Sequence, residues 1–103
     1  MDENASRLLR LMRHMRSIYE QGSVDDALVI YRGLQRDFVA LQESNPWAGD
    51  DEAISAAYSV IYWMGGKEEL SAFHATWPQW LEDWYLTVPP DKRPHEKLVR
   101  KHS

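Results

Sequence analysis

The chain has 103 residues, is 44% hydrophobic and 27% charged, and carries a formal net charge of −4. That length suits one domain with a real core, and the acidic balance argues against a protein that binds nucleic acid over its whole surface. There is no cysteine, which excludes a disulfide framework, a thiol nucleophile and a Cys-based zinc site, and fits a cytoplasmic setting.

The opening "MDENASRLLRLMRHMR" has acids before its first arginine, and arginines break every apolar run. This is not signal-peptide patterning. No stretch approaches the roughly 18 apolar residues of a membrane span, so no membrane partner is expected. Charge is uneven along the chain. Residues 22–86 hold three Lys/Arg against eleven Asp/Glu, and residues 87–103 hold five against two. The body is acidic and the tail, 89–103, is basic.

The first helix is expected over about 4–21. Leu8, Leu11, Met12, Met15, Ile18 and Tyr19 recur at spacings of three and four, which makes one apolar face. Arg7, Arg10, Arg13 and Arg16 step by three and drift round the cylinder, so they form no single basic stripe. Gly22 suits a left-handed helix stop. In "SVDD", Ser23 is a candidate N-cap with acids in the first turn behind it. A second helix then runs to about Gln42, with Val24, Ala27, Leu28, Tyr31, Leu34, Phe38 and Leu41 on one face. The short link predicts an antiparallel hairpin over 1–44. "GSVDDALVIYRGL" resembles the middle of a tetratricopeptide repeat at Gly22, Ala27 and Tyr31. No closing proline or second copy follows, so only the hairpin is carried forward.

"ESNPWAGDD" is turn chemistry. Trp47 within it either folds back as a lid or stands out as an anchor. Asp50 or Asp51 is expected to cap a third helix, 52–64, apolar nearly all round and therefore central. Gly65-Gly66 ends it, and Trp63 is expected in the core. A short fourth helix, "KEELSAFH", comes next. In "ATWPQWLEDWY", Thr76 and Gln79 form a candidate capping box, with Pro78 in the first turn of a fifth helix. "TVPPDKRP" closes that helix in an extended or turn-like form.

Helices four and five together keep helix-turn-helix spacing. Ser71 is the small residue in the first helix, Ala75 the small turn residue, and Leu81 and Trp84 the apolar anchors. "GGKEELSAFHATWPQWLEDWYLTVPPDKR" resembles the Cro/CI-like regulators of phages and plasmids. The match runs over about 52–101, through Gly65-Gly66, Pro78-Gln79, Trp84 and Val88-Pro89-Pro90. It departs at Ala75-Thr76, where the family favours glycine and an aliphatic residue, and at His74, where leucine is common.

The fold implied is all-α and of about five helices, a single domain with the 1–44 hairpin packed on a helix-turn-helix-like part, 52–88. The resemblance implies a small DNA-binding regulator that dimerises through residues 1–44. Its reading positions would be Trp77, Pro78, Gln79, Trp80, Glu82 and Asp83. Lys92, Arg93, Lys97, Arg100 and Lys101 would contact phosphates. Of the readers, only Gln79 pairs conventionally with a base, and Glu82 and Asp83 meet phosphates badly. The residues therefore keep a second reading open. In it an inhibitor or adaptor of a mobile element reuses the scaffold and binds a host protein through Trp77 and Trp80, unless those two pack on the hairpin. The four histidines are scattered, with no metal spacing, and no catalytic constellation is present. No enzyme activity, cofactor, metal or small-molecule substrate is expected.

Overall fold

Helix α1 spans Glu3–Glu20 and α2 spans Val24–Ala40. The computed structural model describes residues 3–70 and 78–93. Between α1 and α2 the chain turns in a Schellman motif. Gly22 takes φ 96°, its N–H donates to the Tyr19 carbonyl at 3.0 Å, and the Ser23 N–H donates to the Ile18 carbonyl at 3.1 Å. Those bonds satisfy carbonyls that the helix end would leave unpaired. Ser23 occupies the N-cap position of α2 but makes no side-chain cap bond. Its backbone carbonyl receives the Ala27 N–H instead.

The hairpin closes on the expected faces, with one adjustment. In α2, Ala27, Tyr31, Leu34, Phe38 and Leu41 are buried. In α1 the buried strip is Ala5, Leu8, Leu9, Met12 and Met15, and Leu11 and Ile18 are only partly covered. Helix α1 packs on both α2 and the third helix, so the strip centred on Met12 is sealed while its margins stay at the surface.

Helix α3, Asp51–Gly65, is the centre of the fold. Asp50 caps it, accepting the Ala53 N–H at 3.1 Å. Its buried residues are Ala53, Ile54, Ala57, Tyr58 and the run Val60 to Met64. Such an all-round apolar helix is stable only inside. It stops at Gly65-Gly66, and Gly66 keeps an ordinary φ of −89°.

Beyond α3 the pattern departs from expectation. Within "KEELSAFH", Glu68–Leu70 is a single 3₁₀ turn rather than an α-helix. Ser71, His74, Ala75, Thr76 and Trp77 lie outside the described residues. The last helix, α4, spans Gln79–Thr87, with Pro78 as its N-cap at φ −70°, ψ 131°. Pro78 therefore precedes the helix, so Thr76 is not its cap. Gln79 bonds forward to Asp83 at 3.0 Å, not back to the cap. A proline has no N–H to protect and holds φ near the value a helix entry needs, so this start works without a capping box. A further 3₁₀ turn covers Pro90–Lys92. The described part is all-α, with four α-helices where about five were expected, and no described helix is long and apolar enough to cross a membrane.

Candidate partner-binding face

Helix α4 is nine residues long and has aromatic or apolar residues on most of its circumference. Leu81, fully buried, fixes it to the core. Pro78 is buried beside it. Trp80 points to the end of the hairpin, where its indole N–H donates to the carbonyl of Leu41, the C-cap of α2. That carbonyl is an orphan of the helix end, and Trp80 satisfies it.

Trp47 completes this joint. It is fully buried, donates its indole N–H to the Ala5 carbonyl at 3.0 Å, and lies 6.3 Å from the Trp80 ring. The turn that carries it is held by the Asn45 side chain, which accepts the Trp47 backbone N–H at 2.9 Å. Of the two roles open to Trp47, the structure shows the inward one.

The C-terminal half of α4 is different. Tyr85 stacks on Tyr58 at 4.6 Å with planes 10° apart. Trp84, expected in the core beside Leu81, is only partly buried. Its ring lies 6.1 Å from Tyr58, and its N–H reaches the exposed carboxylate of Asp51 at 3.3 Å. The reason is angular. Leu81 is fully buried, whereas Trp84 sits some 60° round the helix at 100° per residue and falls on the flank.

Trp84 thereby becomes the wall of an open groove of about 360 Å³. Asp51 and Glu52 from the first turn of α3 line it beside the Trp84 indole, and Val88, Pro89 and the Lys92 cation complete the lining. The positive end of the α3 dipole is already answered by Asp50, Asp51 and Glu52, so this helix start repels phosphate rather than holding it.

The predicted site residues thus separate. Pro78 is buried, Trp80 is turned inward, Glu82 is half-buried, and Gln79 and Asp83 are exposed and bonded to each other. Lys92 is exposed at the groove. Arg93 is committed to the fold: it donates to the Val88 carbonyl at 2.8 Å and to the Leu86 carbonyl at 3.4 Å, and its guanidinium sits 4.9 Å from the Tyr85 ring. Trp77, Lys97, Arg100 and Lys101 lie outside the described residues. Sequence reasoning placed Trp84 in the core and read Asp50 and Asp51 as capping and solvated acids. Asp50 does cap α3, and only the position of α4 shows that Asp51 lies against the Trp84 indole.

A second cluster sits between α1 and α3. Trp63 is flanked by Arg16 and Lys67, each 5.2 Å from its ring, and meets Tyr19 edge-on. Arg16 also pairs with Glu20 at 3.4 Å and donates to the Ser59 carbonyl. Tyr19 donates its hydroxyl to Glu69. That bond, with some burial and the negative charge of Glu69, raises the phenol above its ordinary pKa. These cations each make contacts within the fold. Among the described residues no group of His, Asp and Glu is arranged to hold a metal ion.

No family model, curated protein or solved structure matches this chain. Its own surface carries the functional reading.

Proposed function

We propose that this protein is a protein-binding module that takes a basic segment of a partner protein into the groove between α3 and α4. One observation carries the reading. The groove sets a partly exposed tryptophan face, Trp84, against the carboxylates of Asp51 and Glu52. An aromatic wall with carboxylates at its edge is suited to a lysine or arginine, whose stem lies along the ring while its charge meets the acids. Trp84 thus takes the anchoring role that Trp80, occupied by Leu41 and Trp47, does not supply.

The DNA-reading alternative has less support from the same face. The exposed side of α4 is Gln79, Asp83, Leu86 and Thr87, and it includes no cation. Duplex DNA demands phosphate neutralisation. Gln79, the one conventional base reader, already bonds to Asp83.

Fluorescence anisotropy separates the two. Labelled mixed-sequence duplex and labelled Lys/Arg-rich peptides are titrated with the full chain at low and high salt. The expected result is peptide binding that Glu52→Lys removes, with no duplex binding at low salt. Duplex binding that weakens steeply with salt would reinstate the regulator. Peptide binding indifferent to Glu52→Lys would sink the groove.

A further inference from the structure

The outer face of α2 combines four features that the isolated chain does not use. Asp25 and Asp26 stand exposed at its N-terminal end, and Arg32 and Arg36 stand exposed one to three turns further on. None of the four has an ion pair among the described residues. Between them lies Val29, 65% exposed. Beside it is Gly33, mid-helix, where an added Cβ would meet nothing within 4 Å. Nothing in the single chain requires glycine there, and alanine would favour the helix.

We propose that this face pairs with the same face of a second copy, the two α2 helices running antiparallel about a two-fold axis at the level of residue 31. An isologous contact requires a self-complementary surface, and this one is. With the axis at that level, Asp26 of one copy meets Arg36 of the other, twice over. Val29 meets Gly33, again twice, so that an exposed valine enters the recess left by the missing side chain. At 100° per residue, positions 26, 29, 33 and 36 fall within about 80° of arc, on one face. The same alignment cannot be made parallel, because acids would then meet acids and arginines meet arginines. This contact leaves the α3–α4 groove open and stands independently of what that groove binds.

Sedimentation of the full chain over a concentration series tests the pairing. The expected result is a dimer that higher salt weakens. Arg36→Asp or Asp26→Arg alone raises the dimer dissociation constant by about tenfold or more, since each change alters both copies of the ion pair. The combined Asp26→Arg, Arg36→Asp protein recovers the dimer, because the charges are exchanged and not lost. Gly33→Leu fills the recess and gives a monomer whose circular dichroism keeps its helix content. A wild-type chain that stays monomeric at high concentration overturns the proposal. So does a dimer indifferent to Arg36→Asp, or a charge-swapped protein that fails to re-form it.

Discussion

Trp80 and Trp84 lie one helical turn apart on α4 and are chemically identical, yet they do different things. Trp80 donates to a backbone carbonyl at the end of α2 and lies against the buried ring of Trp47. Trp84 donates to an exposed carboxylate and lines a groove. The first indole satisfies an acceptor that water reaches poorly, so it belongs to the joint between hairpin and α4. The second gives up a bond that water would replace at little cost, so its ring is free to meet a partner. What separates structure from candidate function here is the acceptor each indole finds, not the residue type.

The comparison is broken most severely at Trp47, the residue both halves of the joint lean on. Trp47→Ala empties a fully buried indole site and removes the bond to Ala5, with an expected loss of about 3–5 kcal/mol, read as a drop in the denaturant midpoint. Next comes the pair itself. Trp80→Ala should cost about 2–4 kcal/mol, because it opens a void and strands the Leu41 carbonyl. Trp84→Ala should cost only about 1–2 kcal/mol for a half-buried ring, while peptide binding in the groove is lost. Equal losses of stability in the two variants would erase the distinction drawn between them.

A smaller effect concerns α2. Gly33→Ala, measured dilute so that only the monomer is present, should stabilise the chain by about 0.5–1 kcal/mol through helix propensity. The same change should weaken self-association at high concentration. The smallest effect is at Tyr19. The hydrogen bond to Glu69 raises its folded pKa above the usual 10.0. Its contribution to stability is therefore present below that ordinary value and is lost as pH rises through the higher folded one. Ultraviolet titration should show Tyr19 ionising at lower pH in Glu69→Gln than in the unaltered chain.

Much of the fold was legible from local chemistry. Gly22 as a left-handed stop, an acid at Asp50 or Asp51 as the cap of α3, and the apolar faces of α1 and α2 all depend on residues within a turn or two of one another. The pairing of α1 with α2 followed from a link too short for anything but a hairpin. Even the core position of Leu81 was readable, as one of the two apolar anchors in the helix-turn-helix spacing.

The rest depended on contacts between residues far apart in sequence. That α4 starts after Pro78 follows from the extended backbone Pro78 takes as its N-cap. Whether Trp47 turned in or out was open in the sequence, because a loop tryptophan has no periodic neighbours to orient it. The role of Trp80 was open for a related reason, and Trp84, expected in the core, proved only partly buried. A helix with apolar residues over most of its surface has several ways to face a core, and its own pattern does not rank them. The ranking came from the Leu41 carbonyl, some 40 residues back in the chain, and from Asp51 at the head of α3. Sequence determined that α1, α2 and α3 are helical and about where they start and stop, since caps and periodicity are local. Tertiary structure decided which tryptophan is buried and which is offered, since burial is set by the partner a side chain meets.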